Sequence, residues 1–244
     1  MQSLIRTLSG DADFQTVLSG IRAGMKEQLL SGLAGSSRQV LIAAAYHALQ
    51  RTFLVVTHNL YAAQKMADDL EELLGSSRVL LYPSDEVMAV EAAISSPEMQ
   101  AQRISVLARL ADGFDGVVVV PYAGLRRIVP VADSVRDARI RLEVGQEIPL
   151  QEVAERLVRL GYERTDKVES KSQFSVRGGI LDLYPVTSEL PFRIEWFGDE
   201  VDSIREFDPE DQRSTRKLKQ LDILQCREWV ASERRFQNAA QHAH

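Results

Sequence analysis

The stretch GVVVVP, at residues 116–121, is the clearest strand signal in this chain of 244 residues. Four consecutive valines bounded by glycine and proline are typical of a short strand that is buried on both faces in a parallel sheet. Similar runs occupy 53–57 and 78–82, and apolar residues at helical spacing predict helices at about 60–74 and 97–111. Strands that alternate with helices predict a doubly wound α/β layer.

Upstream of these strands, the segment GLAGSSRQ has the spacing of a phosphate-binding loop, with Gly32 as its first residue. In the functional pattern, G-x-x-x-x-G-K-[ST], the second glycine lets the backbone approach phosphate, the lysine contacts phosphate oxygens and the hydroxyl binds Mg²⁺. Here Gly35 lies within the loop, and the three decisive positions are Ser37, Arg38 and Gln39. Arginine keeps the charge in a different shape, and glutamine has no hydroxyl. The loop is therefore either a degenerate nucleotide site or an ordinary Gly/Ser connection.

The Gly32 loop lies between two predicted helices. Apolar residues at helical spacing place these helices at 12–30 and about 38–51.

The remainder of the chain has a different character. A strand at 140–144, a helix at 150–160 after a proline, and hairpin-like segments with Gly-Gly and Gly-Asp turns predict a small α+β domain. We place this inserted domain at 140–225, within an α/β domain that covers 1–139 and starts its second half at 226–244. The last residues predict a strand and a polar helical tail that complete no unit, so the sequence has the form of a fragment.

Composition excludes several classes of protein. The net charge of −6 opposes broad nonspecific binding to nucleic acid, and no apolar run approaches the length of a membrane span. The amino terminus lacks the apolar segment of a secretory signal. A single cysteine, Cys226, excludes an internal disulfide and a multi-cysteine metal site, which agrees with a cytoplasmic location. The histidines, at 47, 58, 242 and 244, form no helical metal pair.

Acidic residues crowd one predicted turn at Glu195, Asp199, Glu200 and Asp202. They could be read as an acid/base pair or a metal site, but their spacing fits a polar hairpin that turns at Gly198-Asp199, and no histidine or cysteine is nearby. The sequence shows no Ser/His/Asp or Cys/His nucleophilic arrangement. We therefore predict neither catalytic nor metal-binding residues.

The hairpin strands have one apolar face and one mixed face, because side chains alternate across a strand. The residues predicted to point inward are Phe174, Val176, Phe192, Ile194 and Trp196. Those predicted to point outward are Ser175, Arg177, Arg193, Glu195 and Phe197. Arginine and aromatic residues together are enriched at protein interfaces. The alternative is a solvated strand face, with Phe197 covered by a neighbouring loop.

Two stretches of this region, FSVRGGILDLYP at 174–185 and ELPFRIEWFGDEVDSIREFD at 189–208, followed by QRS at 212–214, closely resemble the module shared by UvrB and the bacterial transcription-repair coupling factors. The resemblance extends over almost the whole chain. The further matching segments are LLSGLAGSSRQVLIAA, THNLYAAQKMADDLEELL, YPSDE, SPEMQAQRISVLARL and VVVVPYAGL, and they resemble helicase motifs in the same order.

The chain differs from UvrB in two ways. UvrB keeps an intact Gly-Lys-Thr, and it carries a long hairpin between the equivalents of Tyr82 and Arg103, where this sequence has a short interval. Both differences favour the coupling factor family. The resemblance therefore implies a helicase-like, degenerate phosphate-loop fold without ATP binding, ATPase or lesion-verifying activity.

In the coupling factor family, this module recruits UvrA to RNA polymerase stalled at a lesion and so links transcription to nucleotide excision repair. The resemblance assigns UvrA contacts to Arg177, Arg193 and Phe197, which strand alternation also places outward. Contacts with RNA polymerase and ATP-driven DNA translocation belong to domains outside this sequence. One alternative is an active ATPase of the UvrB type with Arg38 in place of lysine, and another is a module that docks on the rest of its own protein.

Overall fold

A computed structural model describes residues 8, 10–84, 96–210 and 213–229, which form two compact units. The first unit contains the described residues up to 84 together with 113–127, and the second contains 96–112 and the described residues from 128 onward. The following bounds use labels numbered along the chain.

The first unit is built on a parallel sheet with helices packed against it. Its elements are α1 (Ala12–Arg22), α2 (Ser37–Leu49), β1 (Phe53–Thr57), α3 (Leu60–Leu74), a 3₁₀ turn (Ser76–Arg78), β2 (Val79–Leu81), β3 (Val117–Pro121) and the single turn α5 (Tyr122–Leu125). The strand order is β1-β3-β2, with β3 parallel to both neighbours. All five residues of β3 are buried, as the valine run predicts. The predicted mixed α/β class with a parallel sheet is confirmed.

The helix predicted at 12–30 is wrong in its second half. It ends at Arg22, and Gly24 then adopts a φ of +76°, a left-handed conformation that ends a helix and that glycine tolerates best. The chain turns back, and the Gln28 side chain donates a hydrogen bond to the carbonyl oxygen of Val17 at 3.2 Å. The apolar residues beyond the turn continued the helical spacing by coincidence.

The second unit combines helices with two antiparallel arrangements of strands. Its elements are α4 (Pro97–Ala111), α6 (Ala132–Asp137), β4 (Arg139–Glu143), α7 (Leu150–Arg159), β5 (Glu163–Arg164), β6 (Gln173–Arg177), β7 (Ile180–Leu183), β8 (Phe192–Phe197), β9 (Glu200–Phe207), β10 (Ser214–Leu218) and β11 (Gln220–Leu224). The six-stranded sheet has the order β10-β9-β8-β7-β6-β5, antiparallel except for the β5–β6 pair. β4 and β11 form a separate antiparallel pair.

One core joins the inner face of the six-stranded sheet to α7 and the β4–β11 pair. Its fully buried members include Leu142, Val153, Leu157, Phe174, Leu181, Leu183, Ile194 and Ile223. Each buried aliphatic or aromatic side chain of this kind contributes about 1.5–3 kcal/mol through removal from water. The inner face of the six-stranded sheet is therefore the core face of the second unit.

The division into units differs from the predicted domain limits of 1–139 and 140–225, because α4 packs on α6 and β11. An ion pair holds this arrangement: Arg103 of α4 is buried, and its Nε donates to Glu228 Oε1 at 2.5 Å. A buried charge needs such a partner, since removal from water is costly. Residues 230–244, in which we predicted a helical tail, lie outside the described residues.

Cys226 is buried in the second unit, and burial raises the pKa of its thiol to about 11. The thiolate is the reactive form, so at neutral pH the folded chain holds Cys226 as an unreactive thiol. We expect a thiol reagent such as DTNB to react slowly with the native chain and rapidly after denaturation. Native reactivity should rise only as the pH approaches 11, and rapid labelling of the native chain near neutral pH would contradict the buried position.

Candidate protein-binding face of the six-stranded sheet

Two tight turns set the register of β6, β7, β8 and β9. The β6–β7 turn passes through Gly178, which has a φ of +59°, and the β8–β9 turn passes through Gly198, at +64°. β8 lies close against Gly179, which has no side chain: a Cβ there would be 3.0 Å from the carbonyl oxygen of Trp196. Trp196 in turn donates its backbone N–H to the carbonyl oxygen of Gly179 at 2.8 Å. The predicted Gly-Gly and Gly-Asp hairpins are both present.

The predicted inner face is confirmed, with one correction on the outer face. Phe174, Phe192, Ile194 and Trp196 are buried and Val176 is half-buried. The indole N–H of Trp196 donates to the carbonyl oxygen of Ile148 at 2.9 Å. Ser175, predicted to face outward, is buried opposite Asp182 in the register of β6 and β7. Alternation predicts the face on which a residue lies, and not how far longer neighbouring side chains cover it.

Asp182 is the central polar residue of the outer face, and its side chain links two of the predicted arginines. It lies on β7 between Arg177 of β6 and Arg193 of β8, and it is only 3% exposed. Arg193 donates from Nε to Oδ1 at 2.7 Å and from Nη2 to Oδ2 at 2.9 Å. Arg177 donates from Nη2 to Oδ2 at 3.0 Å. One buried carboxylate therefore accepts three charge-assisted hydrogen bonds, which are stronger than neutral ones.

Arg193 is fixed from a second side by an aromatic ring. Its guanidinium carbon lies 4.7 Å from the centroid of the buried Phe207 ring, within the range of a cation–π contact. The hydrogen bond to Asp182 is the main cause that raises the pKa of the Arg193 guanidinium, which is already charged at neutral pH. The side chain is 21% exposed, so it presents a small, rigidly held part of the guanidinium to solvent.

Arg177 and Phe197 are the two exposed members of the predicted triad. The Arg177 side chain is 59% exposed and Phe197 is 84% exposed. The alternative in which a loop covers Phe197 is therefore wrong. Ile180 lies on the same face, opposite Arg177 in β6 and Glu195 in β8, and is also exposed. The face thus places an apolar surface next to a guanidinium group, the combination common at interface hot spots.

Among the acidic residues near the second turn, Glu195 is bound by an arginine and a serine of the neighbouring strand. The Glu195 carboxylate accepts from Arg205 at 2.6 Å and from the Ser203 hydroxyl at 2.8 Å. Within the described part of the chain, histidine, cysteine and acidic side chains form no group of three or more that could hold a metal ion. Glu195 is therefore an ion-pair partner on the face, as a polar hairpin predicts.

The loop with phosphate-site spacing begins α2 in the first unit. Gly32 and Gly35 have φ values of +79° and +55°, so both adopt the left-handed conformation. Ser37 begins the helix, and its hydroxyl donates to the carbonyl oxygen of Ala34 at 2.6 Å. Arg38 is exposed. The loop therefore has two glycines in the left-handed conformation, but it has Arg38 and Gln39 at the positions of the phosphate-binding lysine and the metal-binding hydroxyl residue.

Gln39, at the position of the metal-binding hydroxyl, has another role in this fold. It is buried, and its Nε2 donates to Asp69 Oδ2 of α3 at 2.7 Å. A cavity of about 380 Å³ next to Arg38 is lined mainly by aliphatic side chains, among them Leu33, Leu41, Ile42, Val55 and Met66. The polar residues among its walls are Arg38, Thr57 and His58.

The outer face of the sheet presents arginine and aromatic side chains of the kinds enriched at protein interfaces, and it lies in the part of the chain that matches a known family. Residues 140–229 match the UvrB interaction domain family. This range contains the whole of β5 to β11 and all of β4 except its first residue, Arg139, and with them Arg177, Asp182, Arg193 and Phe197.

The chain as a whole is similar to transcription-repair-coupling factors, and the predicted resemblance is confirmed. It is 45% identical to that of Bacillus subtilis (strain 168) over 218 residues, which is 89% of this chain and 18% of that protein. The identity is 35% over 215 residues for the Staphylococcus epidermidis protein and 34% over 210 residues for that of Staphylococcus aureus (strain USA300). The chain spans 18% of the length of each of these relatives.

The structure describes no helix with the length and apolar character that a membrane span requires.

Proposed function

We propose that the chain is a noncatalytic module that recruits UvrA, and that UvrA docks on the outer face of the six-stranded sheet. The observation that carries the proposal is the position of Arg177, Arg193 and Phe197: three residues assigned to UvrA contacts from sequence lie on one face, on strands β6 and β8 that flank β7, and two of them are exposed. The match of this region to a UvrB interaction domain supports the same reading.

The module serves transcription-coupled nucleotide excision repair in the cytoplasm. UvrA recruitment by this face connects repair to stalled RNA polymerase, while contacts with polymerase and DNA translocation are carried by other parts of the full-length protein. The first unit is a degenerate helicase-like scaffold that needs no cofactor. Its parallel sheet and its loop with left-handed glycines support this, since both are elements of nucleotide-binding folds.

Capture of purified UvrA tests the proposal directly. The immobilised chain should retain UvrA, and soluble chain added in excess should release it. An unrelated immobilised protein of similar charge serves as the control, and failure of the wild-type chain to retain UvrA above that control would contradict the proposed function.

The competing function is an active ATPase, and the Gln39–Asp69 hydrogen bond argues against it. The residue at the metal position is a glutamine, which has no hydroxyl for Mg²⁺. Its side chain is buried and hydrogen-bonded to Asp69 of a neighbouring helix. We expect isothermal titration calorimetry with ATP and Mg²⁺ to show no binding at micromolar concentrations, either for the wild-type chain or for Arg38→Ala. Micromolar binding that disappears in Arg38→Ala would favour the enzyme.

A further inference from the structure

Asp182 has no assigned role in partner binding, yet it contacts both arginines of the face. Its carboxylate is buried and cannot itself be a major contact surface for a partner. Its three hydrogen bonds, at 2.7, 2.9 and 3.0 Å, are all to guanidinium groups of Arg193 and Arg177. A buried carboxylate surrounded by the arginines of a binding face determines where those guanidinium groups point.

Orientation matters because of the chemistry of arginine. A guanidinium binds a carboxylate best through two parallel N–H donors in one plane, so a rotated guanidinium loses much of the interaction. A long exposed side chain also loses conformational freedom when a partner fixes it. For Arg177, which is 59% exposed, the hydrogen bond to Asp182 supplies part of that order before the partner arrives.

We infer that Asp182 is a positioning residue: it holds Arg177 and Arg193 in the orientation that receives a carboxylate on the partner, next to the apolar contact made by Phe197. This rests on the proposed function, with UvrA as the partner. The partner surface that fits has an acidic side chain beside an apolar patch. Asp182 acts only through the arginines and touches no partner atom.

The test is the variant Asp182→Asn, which keeps the side-chain shape and one acceptor oxygen but removes the charge. Binding of UvrA is measured by biolayer interferometry for the wild-type chain, Asp182→Asn, Arg177→Ala and the double variant. Because the arginines lose their preferred orientation, Asp182→Asn should weaken binding about tenfold. In the Arg177→Ala background the same change should weaken binding clearly less, since one of the two side chains that it positions is gone.

Glu195→Gln provides the matched control. It removes the charge from another carboxylate of the same face, one that pairs with Arg205 and contacts neither Arg177 nor Arg193 through a hydrogen bond. Its effect on UvrA binding should be small, and equal in the presence and absence of Arg177. A purely structural role of Asp182 predicts equal losses in both backgrounds, and that result would overturn the inference.

Two further outcomes keep this inference separate from the proposed function. If the wild-type chain does not bind UvrA, the proposed function itself fails, and if it binds but Arg177→Ala leaves binding unchanged, the assignment of Arg177 to the contact surface fails. If Arg177→Ala weakens binding and a folded Asp182→Asn does not, only the positioning role fails.

Should Asp182→Asn not fold, as judged by circular dichroism, Asp182→Glu replaces it, because that change keeps the charge and moves both oxygens by one methylene. A folded Asp182→Glu that binds more weakly supports positioning, and one that binds like the wild-type chain contradicts it.

Discussion

The double change Arg177→Ala with Phe197→Ala should abolish UvrA capture and leave the melting temperature nearly unchanged. Both side chains are mainly exposed, at 59% and 84%, so their removal opens no cavity in the core. Asp182 keeps its two hydrogen bonds from Arg193 when Arg177 is absent. Arginine and aromatic hot spots each cost about 2 kcal/mol or more on truncation, which is about 30-fold in affinity for one residue.

A pull-down with purified UvrA measures the binding loss, and a thermal melt measures stability. The matched control is Arg216→Ala with Tyr61→Ala. Arg216 is 65% exposed and pairs with Glu206, and Tyr61 is 78% exposed in the first unit, so this variant also loses one arginine and one exposed aromatic residue. It should capture UvrA like the wild-type chain. Retained capture by the Arg177/Phe197 variant would remove the basis of the site assignment.

Arg193→Ala should weaken UvrA binding and also lower stability, which separates it from Arg177→Ala. Loss of Arg193 removes two of the three hydrogen bonds to the buried Asp182 carboxylate and uncovers the Phe207 ring. Removal of one partner from a fully buried ion pair costs about 3–5 kcal/mol. Arg193 is 21% exposed and Arg177 still contacts Asp182, so we expect a smaller loss, about 2 kcal/mol of unfolding free energy.

Urea unfolding of the two single variants measures this difference, provided that the slopes of the transitions agree. Arg205→Ala is the control, because Arg205 is similarly half-buried but its partner, Glu195, also reaches solvent. It should be destabilised less than Arg193→Ala. Equal stability of Arg177→Ala and Arg193→Ala would contradict the description of Asp182 as a carboxylate held mainly by Arg193.

Local sequence signals predicted most of the secondary structure, because the responsible interactions are themselves local. The helix at 60–74 has both of its ends marked: Asn59 accepts a hydrogen bond from the Ala62 N–H at 2.8 Å, and Gly75 ends it with a φ of +88°. The apolar spacing that predicts a helix at 12–30 continues past Gly24, although the helix itself ends at Arg22.

Contacts between distant parts of the chain could not be predicted in the same way. The assignment of residues 96–112 to the second unit depends on packing and on an ion pair between Arg103 and Glu228, residues 125 positions apart. No periodicity in the sequence indicates such a pair.

For the site, the two-residue period of a strand correctly placed Arg177, Arg193 and Phe197 on one face. Asp182 was missed, although a carboxylate between Leu181 and Leu183 in an apolar strand was a signal that a buried charge needs partners. Similarly, the phosphate-loop pattern identifies Gln39 as a departure, but nothing local in the sequence indicates its hydrogen bond to Asp69, 30 residues away.

The position of UvrA on the outer face is the central claim, and site-specific photo-crosslinking tests it most directly. A photoreactive phenylalanine analogue replaces Phe197 in one variant and the exposed Tyr61 of the first unit in another, and each is irradiated with purified UvrA. The account predicts a crosslink to UvrA from position 197 and none from position 61. A crosslink from position 61 with none from position 197, while UvrA remains bound, would contradict it.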